Sequence, residues 1–270
     1  MASFIFSGGG GGGGAAGVTL VHSIDFTQAA ATDISSVGTH NILKGDGSAL
    51  CTIINSTDAG SGVIQGTNNI NINSSGIVVD VSSGSGAENV NLAVALPTTL
   101  KSNFDVDYLM FEWLVSAISM DSNNSYQKYH VSTASSVRGY PSNGLVVIRS
   151  SGPTSYDLKG SRQYNTSEAR TNADQNWSDT SDLHIQLLMR RHSGVVYQGT
   201  GSSFAEPYTL STSFGLGGRS WPATRPVGQT SMPQWSTPYA VFMQYLNTTN
   251  AIGQATIKKF RIAKFSPSVG

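Results

Sequence analysis

Residues 90–96 place Val90, Leu92, Val94 and Leu96 on one side of an extended chain, with Asn91, Ala93 and Ala95 on the other. A repeat of two fits a strand with one buried face. An amphipathic helix would instead repeat its apolar positions at three and four. Shorter apolar segments follow at residues 50–54, 70–72 and 77–81. Near the start, Val18, Leu20, Ile24 and Phe26 alternate with Thr19, Ser23 and Asp25, interrupted at His22. Clusters that favour turns separate these segments: Gly45-Asp46-Gly47, Asp58-Ala59-Gly60, Ser74-Ser75-Gly76 and residues 82–86.

Composition points the same way. Ser, Thr and Asn supply 79 of 270 residues, and Gly adds 30. These types are poor in helix interiors and good in turns and on the wet faces of sheets. Charged residues are only 12%, about half the usual ~25%, which opposes a disordered chain. The 16 basic and 16 acidic side chains cancel. A nucleic-acid partner or a membrane surface is therefore not expected. The first 100 residues hold six acids and one base, Lys44. A single cysteine, Cys51, excludes an internal disulfide framework and reads as a small buried hydrophobe.

The later segments extend the all-β pattern. Residues 108–120 (YLMFEWLVSAISM) are the densest apolar stretch, read as a long central strand over a helix. Residues 144–149 form a strand, and residues 152–180 read as a polar loop. Residues 183–191 and 195–198 form a hairpin. Residues 209–237 read as a long Gly-, Pro- and Trp-rich loop, and residues 238–246 and 254–265 as two closing strands. No repeat of fixed period stands out, against a propeller or solenoid.

Residues 183–201, 238–250 and 255–265 carry a resemblance to the concanavalin A-like (lectin/laminin-G) jelly roll. That resemblance implies an antiparallel two-sheet sandwich over residues 18–265, with residues 22–27 as a first strand pairing near the last. Residues 266–270 are a short tail. Before the sandwich stands an extended arm, residues 1–17. Phe4, Ile5 and Phe6 form an apolar plug, and seven glycines, Gly8 to Gly14, form a tether that packs closely against a neighbour. No basic n-region or long apolar run marks a signal peptide, so synthesis in a host cytoplasm is expected. This combination of arm and Ser/Thr/Asn/Gly-rich β domain resembles structural proteins of tailed bacteriophages. The resemblance implies a non-enzymatic virion protein, a capsid decoration (cement) protein bound to the major capsid protein or other virion subunits. A homo-oligomer, with a trimer as the default, is expected. The alternative is a tail-fibre or appendage protein that recognises a host surface glycan.

Catalytic patterns are weak. Jelly-roll glycosidases need paired carboxylates, yet the four Glu (Glu88, Glu112, Glu168 and Glu206) form no Glu-x-Asp-x-x-Glu arrangement. Asp105 and Asp107 share a face, and Glu112 lies on the opposite one. The five His show no metal spacing, although His184 and His192 flank a hairpin strand. Asp174, Asn176, Asp179 and Asp182 cluster without an EF-hand order. No metal, cofactor or catalytic residue is expected. Loop aromatics Trp177, Trp221, Trp235 and Tyr140, with Tyr156 and Tyr164, suit either sugar stacking or an intersubunit contact. Lys258, Lys259, Arg261 and Lys264 line the last strand. There they either protect a sheet edge or dock on an acidic neighbour.

Overall fold

The computed structural model describes residues 18–56, 58–59, 66, 68–84, 88–99, 108–120, 125–132, 145–152, 155–161, 173–175, 183–190, 196–201, 239–246 and 249–265. Its strands are β1 (Val18–Asp25), β2 (Thr32–Asp33), β3 (Gly38–Leu43), β4 (Ala49–Asn55), β5 (Asp58–Ala59), β6 (Asn68–Asn73), β7 (Gly76–Ser82) and β8 (Glu88–Ala95). They continue with β9 (Tyr108–Met120), β10 (Tyr126–Ser132), β11 (Leu145–Gly152), β12 (Ser155–Ser161), β13 (Ala173–Gln175), β14 (Leu183–Arg190), β15 (Val196–Gly201), β16 (Tyr239–Leu246) and β17 (Ile252–Phe265).

Two antiparallel sheets result. The first runs β15-β14-β9-β17-β7-β6-β2, with β1 also paired to β17. The second runs β13-β12-β11-β10-β16-β8-β4-β3, with β5 against β8. The chain is thus an all-β, antiparallel two-sheet sandwich. The N-terminal strand lies beside the C-terminal one: Val18 pairs with Phe265 and Asp25 with Lys259.

The facing sides build the core. Val90, Leu92, Val94 and Leu96 all enter it, opposite Ile70, Ile72, Ile77 and Val79 of the first sheet. Each fully buried aliphatic of this kind contributes roughly 1.5–3 kcal/mol. Four aromatics meet between the layers. Trp113 lies 5.2 Å from Phe260 and 6.1 Å from Tyr129, and Tyr129 lies 5.4 Å from Phe242.

Two offsetting bulges keep the central pair β9–β17 facing the core. β9 turns Phe111, Trp113 and Val115 inward, then inserts a residue around Ala117, at φ 50°, and resumes inward with Ile118 and Met120. β17 inserts Lys258, so Ala255 and Ile257 point inward before it and Phe260 and Ile262 after it. Each bulge shifts the pairing by one residue in the opposite sense, so the register recovers. A third bulge, between Leu20 and His22 of β1, leaves Leu20 exposed while Ile24 is buried. Leu20 therefore departs from the buried face that the alternation implied.

The 152–180 block is not one loop. It contains β12, hydrogen-bonded to β11, and β13, hydrogen-bonded to β12. Polar side chains hide such strands from a hydrophobic pattern. β3 also escapes it, because residues 38–41 are Gly-Thr-His-Asn and only Ile42 is buried. Phe26 ends in a short 3-10 turn rather than β1, yet it is buried.

A polar link ties the sheets together. Gln127 of β10 donates through Nε2 to Gln244 Oε1 on β16 (2.8 Å) and to the Gln254 carbonyl on β17 (2.9 Å). Tyr129 donates its hydroxyl to Gln127 Oε1 (2.8 Å). Gln244 can lie there because Gly253 has no side chain. A Cβ at 253 would meet Gln244 Cδ at 2.6 Å and Cγ at 2.8 Å. Gly253→Ala is therefore expected to cost about 1–3 kcal/mol through overpacking. A lower urea midpoint reads this directly. Gly45→Ala, where a Cβ meets nothing within 4 Å, is the control and should hold the wild-type midpoint. Equal midpoints for the two variants would contradict the close-approach account.

Candidate functional site

Charge on the outer side of the first sheet is paired in rows. Glu112 of β9 stands opposite Arg261 of β17 in register. Arg261 Nε donates to Glu112 Oε2 at 2.5 Å, and the two side chains are 1% and 0% exposed. In the adjacent row, Lys259 Nζ lies 3.1 Å from Asp25 Oδ2. Burial alone would raise the Asp25 carboxyl. Hydrogen bonds from Thr27 and Lys259, with the charge of Lys259, outweigh it and hold the group below its ordinary value.

Three further acids are also engaged. Asp33 accepts from the Ser35 N–H at 2.9 Å, and Asp46 from the Ser48 N–H at 2.9 Å and its hydroxyl at 2.7 Å. These short turns lower both carboxyls through the Ser hydrogen bonds. Asp80 accepts from Gln254 Nε2 at 2.9 Å. Glu112 has no second described carboxylate beside it; its register partners are Gln186 and Arg261. An acid/base pair that works on a glycosidic bond needs two carboxylates flanking one space. Among the described residues Glu112 is paired with Arg261 instead.

The second sheet carries an unexpected set on its outer side. Lys128, Met243 and Asn91 lie in one register row across β10, β16 and β8. All three are buried, at 4%, 4% and 2% exposure. Burial pushes the Lys128 amine down to about 8. Beside them Ala93 and Val241 form a small apolar cluster with Ile54 and Tyr239. No local sequence pattern reports this layer, because Lys128, Met243 and Asn91 come from three separate strands.

The expected site residues are distributed as follows. Lys258, Lys259, Arg261 and Lys264 do not lie on an edge. β17 is a central strand with β9 on one side and β7 and β1 on the other. Arg261 and Lys259 face Glu112 and Asp25 of the same chain, and Lys258 occupies the β17 bulge. Tyr156 and Asp174 fall in β12 and β13, and His184 in β14. The arm residues Phe4, Ile5, Phe6, Gly8 and Gly14 lie outside the described residues, as do Tyr140, Tyr164, Trp177, Trp221, Trp235, Asp105, Asp107 and His192. Cys51 is half-buried against the core, and burial pushes its thiol up to about 12. Among the described residues no group of three or more His, Cys, Asp or Glu is placed to hold a metal.

No protein-family profile matches the sequence, and no curated protein matches it. Solved structures match in outline. One is SCLam, a non-specific endo-β-1,3(4)-glucanase from family GH16, at 9% identity over 92% of this chain and 91% of that one, TM-score 0.46. Another is the Emp47p carbohydrate recognition domain, at 10% identity over 94% and 100%, TM-score 0.43. A third is the conserved carbohydrate esterase from Shiga toxin-encoding bacteriophage phi24B, at 11% identity over 93% and 100%, TM-score 0.42. Each is a likeness of outline.

Two outcomes follow from the site geometry. Glu112→Ala strands a buried guanidinium and is expected to cost roughly 3–5 kcal/mol, whereas Glu112→Leu with Arg261→Met should recover most of the loss. Urea unfolding of both proteins checks this; equal losses would contradict it. His22 adds a pH dependence. Its Nε2 is buried without a hydrogen bond, and burial lowers its pKa from 6.5. The unfolded chain then binds this proton more tightly than the folded one. The contribution is complete above pH 6.5 and is lost as the pH falls towards the folded value. Thermal midpoints should decline across that window for wild type and stay flat for His22→Gln. Parallel profiles would exclude His22 as the source.

Proposed function

We propose that this chain is a non-enzymatic structural protein of a phage particle, a capsid decoration protein held by its N-terminal arm. The pairing of Val18 with Phe265 carries the reading. Residues 1–17 precede β1, which pairs with β17, the strand that also holds β9 and β7. A pull on residues 1–17 is therefore delivered to the centre of a sheet and not to a loose edge. Asp25 and Glu112 are spent on ion pairs, Asp33 and Asp46 on short turns and Asp80 on an amide, which favours a scaffold over a catalyst.

In this reading Phe4, Ile5 and Phe6 bury against a neighbouring virion subunit, each contributing roughly 1.5–3 kcal/mol. Repetition over a symmetric shell multiplies a modest affinity through avidity, and a threefold position would seat a trimer. Partner, particle and oligomer number all belong to the proposal.

A host-glycan reading has one observation in its favour. The outer face of β6 carries a row of linked amides: Asn73 Nδ2 donates to Asn71 Oδ1 at 2.8 Å and Asn71 Nδ2 to Asn69 Oδ1 at 3.3 Å. Amides and hydroxyls of sugars are mutual hydrogen-bond partners.

Deleting residues 2–14 is expected to abolish incorporation into particles while leaving the thermal midpoint of the domain unchanged. Full occupancy of the truncated protein would overturn the arm reading. Glycan-array binding that survives the deletion would favour the second reading.

A further inference from the structure

Strand β3 ends the second sheet, with no further strand beyond it among the described residues. An edge of this kind presents unpaired N–H and C=O groups, and native proteins usually blunt it with lysine, proline or a covering segment. Residues 37–43, Val-Gly-Thr-His-Asn-Ile-Leu, contain neither lysine nor proline. Thr39, Asn41 and Leu43 are exposed. Val37 is 61% exposed and Leu43 46%, two of the four large apolar side chains exposed among the described residues.

One end of this edge is already closed. Ala29 bridges Lys44, and the Ala30 N–H donates to the Leu43 carbonyl at 2.8 Å. The open stretch is thus residues 38–42, framed by Val37 and Leu43. It suits a short added strand with no charge and small or apolar side chains. The chain itself supplies one: residues 3–6, Ser-Phe-Ile-Phe. Extended, Phe4 and Phe6 share one face and Ile5 the other.

We propose that β3 of one copy receives residues 3–6 of a second copy as an added strand. The inference rests on the arm reading above and names where the arm binds. Main-chain hydrogen bonds along residues 38–42 supply affinity, and Val37 and Leu43 supply the apolar seats. Residues 7–17 link that segment to Val18 and, fully extended, span at most roughly 35–40 Å, enough to leave one sandwich and reach the edge of another. Eight of those residues are glycine, so the tether carries little bulk between the two surfaces.

The test is sedimentation velocity on full-length proteins over a concentration series. The edge variant is Thr39→Lys with Asn41→Lys, at exposed positions; the arm variant is Phe4→Asp with Phe6→Asp. Wild type is expected to associate and each variant alone to stay monomeric, with unchanged thermal midpoints. Mixed together, the variants should form a heterodimer, because one keeps its arm and the other keeps its edge. An edge variant that still associates overturns the β3 seat while leaving the arm reading intact. An arm variant that still associates overturns both and points to direct β3–β3 pairing. Wild type that is monomeric throughout overturns the second copy as the occupant. Independently of folding in either variant, wild-type amides 38–42 should exchange more slowly at associating concentrations than when dilute. Exchange that ignores concentration overturns the proposal.

Discussion

The Gln127 side chain hydrogen-bonds to both layers of the sandwich. Its Nε2 reaches Gln244 within its own sheet and the Gln254 carbonyl in the other, while its Oε1 accepts from Tyr129. Two sheets held only by apolar contact can slide, because the hydrophobic effect has no direction. A satisfied buried amide has direction, and leaving it unsatisfied costs about 1–3 kcal/mol. It therefore fixes how β10 and β16 sit over β17. Gly253 is the complement of this device, since only a residue without Cβ leaves room for Gln244.

The pairing of β9 with β17 depends on the same region. Both strands carry a bulge, and the two offset each other. Without them the long strands would twist their core faces away from the second sheet, because the strand period is two. Gly76 works similarly at the β6–β7 turn. Its φ of +114° disfavours other residues, and a Cβ there would strike the Ile257 carbonyl of β17. The Glu112–Arg261 pair then orders the outer side. A buried ion pair is weak evidence for net stability, and its stronger effect is on which register survives, since any slip strands a charge.

Much of this was legible in the residues. The strict alternation of residues 90–96 located β8, and the pairing of the first strand with the last followed from the jelly-roll resemblance. The failures share one cause. β3, β12 and β13 carry polar side chains, so no apolar period marks them. The lysines and arginine of the closing strand suited either an edge's protection or an acidic neighbour, and no local pattern decided between them. Its true position depends on partners 149 residues away, as in Arg261 with Glu112, which no local pattern reports. The outer layer of Lys128, Asn91 and Met243 was invisible for the same reason: its burial is a property of three strands together.

The Gln127 amide locks the two sheets into one rigid body. Native-state hydrogen exchange followed by mass spectrometry tests that claim most directly. Amides of β10, β16 and β17 should exchange as one slow unit, at the free energy of global unfolding. If β10 and β16 open well before β17, the two sheets are not locked to each other, and the central role given to Gln127 is wrong.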